Sequence, residues 1–243
     1  MKPLFFVHIP KTGGTSLMEQ ANEQGLRWGE KNPFYSNQPF KHHQPLQWYI
    51  PDRNNHPREI IESHELFAVL RHPVSRFTSD LRWHIERRPA TLEAFGYTRQ
   101  AVEKDVRPFI HDVLDLIETL DTEALNPIPN ELIPFRVRRR FQKNAIRSAG
   151  LKNFGYGHFL PQRLFCEYEG EEVISHYFDL KNIEEITSFM HTRGLSFQSD
   201  KKANASKWPI LLENVELERI QSIYADDIRF YESKAARIIT AAI

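Results

Sequence analysis

The feature that most constrains the fold is a short apolar run near the N-terminus with a glycine turn directly after it. Leu4–Ile9 is almost entirely apolar, which is typical of a strand buried on both faces of a parallel sheet. Pro10 ends the run, and a pair of glycines follows. A helix is predicted to begin at Ser16, because Ser16 and Glu19 have the spacing of a capping box. The chain therefore opens as strand, tight turn and helix.

The same alternation continues along the chain. Leu66–Leu70 is a second predicted strand, followed by Arg71 and by a helix that runs from Pro73 to about His84. A third strand is predicted at Val173–Phe178, and further helices at Val106–Leu120, Glu184–Thr192 and Leu211–Tyr231. Strands interleaved with helices predict an α/β fold in which a mainly parallel central sheet is flanked by helices. The length of 243 residues suits one domain spanning residues 1–243.

Composition narrows the classes of protein. Lys+Arg and Asp+Glu both total 32, so the formal net charge is zero and no nucleic-acid partner is expected. The basic run Phe135–Arg147 is a local exception that suits either an anionic glycan or a solvated helix face. The single cysteine, Cys166, gives no sign of an oxidising compartment, and no apolar stretch is long enough to cross a bilayer. A soluble, cytoplasmic protein is therefore expected.

The turn after the first strand has the chemistry of an anion cradle. Glycines let successive N–H groups point into one concavity, and the helix that follows directs the positive end of its dipole there. The lysine precedes the glycines, whereas an NTPase P-loop has it after them together with a hydroxyl for Mg²⁺. This order favours a phosphate or phosphosulfate donor bound without metal, and an ordinary strand–turn–helix junction is the alternative. The predicted cradle consists of Lys11, Thr12, Gly13, Gly14, Thr15 and Ser16.

A second anion-binding element follows the second strand. Arg71 lies at the carboxyl end of that strand, where open α/β sheets place their ligands. Ser79 lies two turns into the next helix, and an arginine with a hydroxyl suits a terminal phosphate. Alternatively, Arg71 only caps the strand and Ser79 is a surface hydroxyl.

Together the two elements resemble those of a known enzyme family. Phe6–Ser16 resembles the 5′-phosphosulfate-binding loop of the sulfotransferases that use 3′-phosphoadenosine 5′-phosphosulfate (PAPS). Arg71–Ser79 resembles the 3′-phosphate motif of the same family, R-x-P-x-x-R-x-x-S. The chain departs from the family at Asp80, where an aromatic residue often follows the serine, and this departure leaves the phosphate-binding residues intact. The resemblance implies a P-loop-like sulfotransferase fold.

Two segments of the C-terminal half resemble one branch of that family. Gly157–Gln162 is similar to the H-x-x-P-Q segment of the carbohydrate sulfotransferases of the heparan-uronyl and chondroitin types. Asn204–Lys207 and Ile223–Asp227 are similar to the closing segment of the same branch. The acceptor implied by this resemblance is a carbohydrate or glycoconjugate.

The reaction implied by the resemblance is in-line transfer of a sulfuryl group from PAPS to an acceptor hydroxyl, releasing adenosine 3′,5′-bisphosphate without a metal. Lys11 and the N–H groups of the loop would stabilise the charge that forms on the bridging oxygen. The resemblance to the carbohydrate branch implies that the general base is a histidine between the two nucleotide motifs. His43 best fits the pattern H-x-[PT], and His42 is the second choice. His158 is a candidate substrate contact or second acid/base, with a structural role at a helix start as the alternative.

Other readings of the sequence remain open. A metal-dependent P-loop kinase shares the cradle but requires Mg²⁺ ligands that the sequence does not reveal. A non-catalytic module that binds nucleotide or glycan would keep the cradle without a base. Among the four tryptophans, Trp28 and Trp48 are predicted to stack on sugar rings, and Trp83 and Trp208 to lie in the core.

Overall fold

The structure is a computed structural model that describes residues 2–35, 43–50, 56–122, 134–149, 157–199 and 208–241, apart from the side chains of 30, 146 and 236–241. Its centre is a parallel sheet of three strands: β1 (Leu4–Val7), β2 (Glu65–Leu70) and β5 (His176–Asp179), with β2 in the middle. Two shorter strands, β3 (Glu167–Tyr168) and β4 (Glu171–Glu172), form a separate antiparallel hairpin.

Helices make up most of the rest of the described chain. In chain order they are α1 (Gly14–Glu23), α2 (Pro57–Ser63), α3 (Pro73–Arg87), α4 (Pro89–Ala94), α5 (Arg99–Lys104), α6 (Arg107–Glu118), α7 (Phe135–Ser148), α8 (Arg163–Cys166), α9 (Ile183–Thr192), α10 (Asn214–Ile223) and α11 (Ala225–Ala241). The α/β class and the parallel sheet flanked by helices are therefore confirmed. Within the described part of the chain, every helix is too short or too polar to cross a membrane.

Alternation of side chains along the strands explains why the sheet is buried on both faces. Leu66, Ala68 and Leu70 of β2 pack into one hydrophobic cluster, while Phe67 and Val69 pack into another on the opposite face. Near-continuous apolar runs are what such a doubly covered strand requires. A third cluster lies among the helices and contains residues of α3, α4, α5, α6 and α10.

Three predicted boundaries are wrong. Helix α1 begins at Gly14 rather than at Ser16, and its N-cap is Gly13 in the left-handed conformation, so the predicted capping box does not form. The predicted third strand begins at His176 instead of Val173, because the chain before it belongs to the β3–β4 hairpin and its exit. The first strand stops at Val7, two residues before the end of its apolar run.

The predicted helix Leu211–Tyr231 is two helices, α10 and α11. The break lies at Tyr224, which is fully buried and whose hydroxyl donates to the carbonyl of Phe159. Asp227, in the first turn of α11, accepts from the backbone N–H of Arg163 at 2.9 Å. These two contacts hold the start of α11 against the segment around Phe159. The chain therefore turns at Tyr224 instead of continuing as one helix.

Candidate functional site

Each strand of the parallel sheet is followed by a cationic residue. Lys11 follows β1, Arg71 follows β2 and Lys181 follows β5, and all three line one cavity of about 630 Å³. The carboxyl ends of parallel strands meet at one edge of a sheet, which is where ligands bind in open α/β folds. The cavity is therefore the candidate functional site.

The loop between β1 and α1 is held in a tight conformation by contacts of its own. Gly13 has φ of 83°, and a Cβ on Gly14 would collide with the imidazole of His8. Thr12 is fully buried and its hydroxyl donates to the carbonyl of Ile9 at 2.9 Å. A glycine N-cap offers no side-chain acceptor to the first N–H groups of α1, so these donors and the helix dipole are suited to an anion.

Lys11 adopts a backbone conformation that is uncommon for a residue with a side chain. Its φ is 67°, in the left-handed region, and its carbonyl accepts from Nη1 of Arg71 at 3.2 Å. Burial lowers the pKa of the Lys11 ammonium, although the charge of Asp80 opposes the shift. The two predicted anion-binding elements, 60 residues apart, are thus in direct contact.

Arg71 is anchored through its backbone by the segment similar to H-x-x-P-Q. The side-chain amide of Gln162 accepts from the Arg71 N–H at 2.9 Å and donates to the Arg71 carbonyl at 2.8 Å. Gln162 also lies within 3.3 Å of the Asp227 carboxylate. In the described part of the chain, the guanidinium of Arg71 donates one hydrogen bond, to the Lys11 carbonyl, so its other N–H groups can serve a ligand.

One face of α3 forms the wall opposite the loop. Ser75, Ser79 and Arg82 line the cavity with the spacing i, i+4, i+7, and Trp83 lies beside them. The Nζ of Lys11 is 5.5 Å from the centroid of the Trp83 ring. Among the described lining residues, four are Lys or Arg and none is acidic, so the cavity is suited to an anion with more than one charge.

Behind this wall lies a buried pair formed by Asp80 and His158. Nδ1 of His158 is hydrogen-bonded to Asp80, and the other carboxylate oxygen of Asp80 accepts from the N–H of Phe159 at 3.2 Å. Burial alone would raise the pKa of Asp80, but the charges of His158 and Arg76 outweigh it and lower this pKa to about 2. Asp80 is therefore an ionised, fully buried carboxylate.

Three histidines follow one another along the inner wall of the cavity. The ring centroids of His8 and His43 are 4.8 Å apart, and those of His43 and His158 are 5.3 Å apart. On its other side, His158 stacks on Trp83 at 4.7 Å with an interplanar angle of 12°. Aromatic packing thus fixes the plane of the His158 ring.

Asp80, His84 and His158 have possible ligand atoms within 4.8 Å of one another and could in principle hold a cation. The Asp80 carboxylate is already hydrogen-bonded to His158 and lies 3.9 Å from the Arg76 guanidinium. A divalent ion would have to displace these partners and would face the charges of Arg76 and Lys11. A hydrogen-bonded carboxylate–imidazole pair fits these surroundings better than a metal site.

The structure brings most of the predicted site residues to the cavity. Lining residues include Lys11, Gly13, Gly14, Thr15, Ser16, His43, Arg71, Ser79 and His158. Thr12 does not line the cavity, because its hydroxyl is used inside the loop. The second candidate base, His42, and the segment Asn204–Lys207 lie outside the described residues.

The predictions for three of the four tryptophans are wrong. Trp28 and Trp48 are 5% and 0% exposed, so both belong to the core rather than to a sugar-stacking surface. Trp83, predicted to lie in the core, is half-buried and lines the cavity. Trp208 packs at the edge of the helical cluster, partly exposed.

Sequence reasoning missed Asp80, Arg82 and Lys181 as site residues. The helical spacing of Ser75, Ser79 and Arg82 is a signal that could have identified Arg82. No local signal identifies Asp80, because its partner His158 lies 78 residues further along the chain.

Comparisons of the chain with protein-family models, with curated proteins and with solved structures gave no match. The resemblance to sulfotransferases therefore rests on the motif residues named above.

Proposed function

We propose that the protein is a sulfotransferase that transfers a sulfuryl group from PAPS to a hydroxyl of a carbohydrate or glycoconjugate. The observation that carries the proposal is the convergence of the two predicted anion-binding elements on one cavity, joined by the contact between Arg71 and Lys11. Adenosine 3′-phosphate 5′-phosphosulfate has an anionic group at each end of its ribose, and such a ligand suits a cavity with cations on several sides.

The two ends of the cavity would have different tasks. Arg71 and Ser79 supply a guanidinium and a hydroxyl, a donor set suited to the 3′-phosphate. The first turn of α1 supplies backbone N–H groups for the 5′-phosphosulfate. Lys11 is the mobile cation next to this turn and would stabilise the negative charge that develops on the bridging oxygen as the S–O bond breaks.

Of the three described histidines that line the cavity, the two candidates for an acid–base role are His43 and His158. The sequence pattern favours His43 as the base that takes the proton of the acceptor hydroxyl. Both lie in reach of the same part of the cavity, since their rings are in contact.

Thermal unfolding with added nucleotides tests the donor. Adenosine 3′,5′-bisphosphate without metal should raise the Tm of the wild-type protein, since a ligand at about 100 times its Kd adds roughly 2.7 kcal/mol of stability. Arg71→Ala should lose most of this shift. Stabilisation by ATP with Mg²⁺ but not by the bisphosphate would instead favour a P-loop kinase.

Transfer itself is tested with radiolabelled PAPS and a panel of defined oligosaccharides. Label should appear in at least one oligosaccharide, and Lys11→Ala should lower the rate of labelling by roughly 10²- to 10³-fold. Binding of the bisphosphate without transfer to any member would indicate a non-catalytic binding module.

A further inference from the structure

The segment His158–Leu160 is held at four points, three of them on the backbone. The His158 ring is hydrogen-bonded to Asp80, and the Phe159 N–H donates to the same carboxylate. The carbonyl of Phe159 accepts from Tyr224, and that of Leu160 accepts from Arg76. Fixed side chains are characteristic of groups that must be in place before a ligand binds.

The backbone of this segment is also strained. Phe159 has φ of 64°, a left-handed conformation that is unfavourable for a bulky residue. Strain of this kind persists only where the surrounding contacts enforce it. Here it allows the ring of His158 and the N–H of the next residue to face the same carboxylate.

The hydrogen bond to Asp80 fixes which nitrogen of His158 carries the proton. An ionised carboxylate can only accept, so Nδ1 is protonated, and in the neutral ring Nε2 is then a free base. Nε2 is buried and has no hydrogen-bond partner among the described residues. His158 is 3% exposed and lines the cavity, so a ligand inside the cavity can supply a partner for Nε2.

We propose that His158, oriented by Asp80, is the general base of the transfer; this inference rests on the proposed sulfotransferase function. Nε2 accepts the proton of the acceptor hydroxyl while the hydroxyl oxygen forms its bond to sulfur. The bond from sulfur to the bridging oxygen of the phosphosulfate breaks, and its electron pair stays on the departing phosphate. Asp80 is the positioning residue, because its charge stabilises the imidazolium that forms.

The arrangement of Lys11 supports this assignment. Lys11 and His158 both contact Trp83, so the base and the cation that would stabilise the leaving oxygen occupy the same corner of the cavity. His43 lines the same wall, but the Asp80 carboxylate, which can orient a histidine ring, is hydrogen-bonded to His158. Among the described residues, the charged and titratable groups near His158 include Asp80, His84 and Arg76 from α3 and His43. Lys11 and Arg88 lie against the Trp83 ring on which His158 stacks.

The first test compares variants in kcat for sulfate transfer and in affinity for adenosine 3′,5′-bisphosphate. His158→Asn should lower kcat by roughly 10²- to 10⁴-fold while donor affinity is retained. Asp80→Asn should also lower kcat while KM for the acceptor and affinity for the bisphosphate are retained, because the neutral amide does not stabilise the imidazolium that forms in the reaction. A purely structural role would lower stability and donor affinity together with kcat.

The chain offers a matched control for the histidine–carboxylate pair. His176 lies 2.9 Å from Glu65, at the end of the sheet opposite the cavity. His176→Asn should leave transfer and donor affinity unchanged. Added imidazole should restore part of the transfer lost in His158→Ala, since the truncated side chain leaves space for it.

A second measurement on the wild-type protein does not depend on activity. Nitrogen-15 NMR of the imidazole rings should show neutral His158 protonated at Nδ1, and a proton on Nε2 would overturn the inference. Transfer that survives in His158→Asn but is lost in His43→Asn would overturn the assignment of His158 and leave the proposed function standing. Absence of bisphosphate binding and transfer in the wild-type protein would overturn the proposed function as well.

Discussion

At the scale of single residues, Lys11 combines a strained backbone conformation with a cationic side chain. Its left-handed φ is a conformation in which glycine is favoured, yet the position holds a cation that lines the cavity. Strained residues of this kind cluster at active sites, where they aim a functional group. The strain and the position together point to function rather than to stability.

Lys11→Ala should reduce turnover far more than it reduces affinity for adenosine 3′,5′-bisphosphate. The reason is that the ammonium would meet charge that forms only in the transition state, and loss of one such donor costs roughly 10²- to 10³-fold in kcat. Steady-state kinetics and calorimetric titration measure the two effects. Equal losses in both would contradict this role. As a control, Lys11→Gly should be about 1 kcal/mol more stable than Lys11→Ala, because glycine relieves the left-handed strain.

Asp80 should make stability depend on acid pH. Its pKa in the folded protein is about 2, below the ordinary 3.8, so the carboxylate stabilises the fold above about pH 4 and this contribution is lost as pH falls toward 2. Asp80→Asn should therefore be less stable than the wild-type protein by about 2 kcal/mol at pH 7, with the difference shrinking between pH 4 and pH 2. Urea unfolding at a series of pH values measures this.

An exposed ion pair serves as the control that separates the effect of burial on stability from the effect of charge. Glu103 lies 3.0 Å from Arg99 on the surface of α5. Glu103→Gln should change stability by less than about 0.5 kcal/mol at any of these pH values. A difference for Asp80→Asn that stays constant down to pH 2 would show that its carboxylate is not the source.

At the scale of elements, the start of α1 shows how a local signal can be right in type and wrong in position. The sequence predicts a strand, a turn and a helix, and all three are present. The capping-box pattern at Ser16 competes with a glycine at the N-cap, and the glycine prevails because only Gly13 adopts the required left-handed φ at little cost. The helix therefore begins early enough to place its first turn against the cavity.

Gly14→Ala should damage this element specifically. A Cβ on Gly14 would collide with the His8 ring and lie 3.1 Å from Phe6, so the turn or the ring must move. We expect a loss of roughly 1–3 kcal/mol in stability and a clear loss of bisphosphate affinity. Thermal unfolding and titration calorimetry measure the two.

Gly25→Ala is the matched control at the other end of α1. Gly25 has φ of 84° and no atom within 4 Å of an added Cβ. The substitution should cost about 1–2 kcal/mol through backbone strain alone and leave bisphosphate affinity intact. A loss of affinity as large as that of Gly14→Ala would show that general destabilisation, not the turn, determines binding.

At the scale of the whole molecule, the electrostatics of the cavity differ from those of the chain. The chain has no formal net charge, but the described lining of the cavity is cationic without a carboxylate. Acidic residues pair with cations elsewhere, as in the contact of Arg219 with Asp115 and Glu118. The fold therefore concentrates positive potential at the carboxyl edge of the sheet.

Affinity for adenosine 3′,5′-bisphosphate should fall as ionic strength rises. Between about 0.05 M and about 0.5 M salt the screening length shortens from about 14 Å to about 4 Å, so attraction by cations around the cavity weakens. Titration calorimetry at several salt concentrations measures the slope, and adenosine, which has no charge, serves as the control. Equal salt dependence for the two ligands would contradict a cationic site.

Local patterns in the amino-acid sequence suffice to predict the features that arise between near neighbours in the chain. Leu4–Ile9 and Leu66–Leu70 predict their strands because a short apolar run is typical of a strand buried on both faces. Lys11 and Gly13 mark the turn that follows the first strand. These signals predict the α/β class, the parallel sheet and several of the residues that line the cavity. They are strong because backbone sterics and side-chain periodicity act within a few residues.

Which distant groups meet depends on how the helices and strands pack in the folded chain. Asp80 and His158 are 78 residues apart, and Gln162 contacts Arg71 across 91 residues. The burial of Trp48 and the break at Tyr224 likewise depend on partners from other elements. Such contacts follow from the packing of whole elements, since burial sets the cost of each unpaired polar group, and no local pattern encodes which partner will satisfy it.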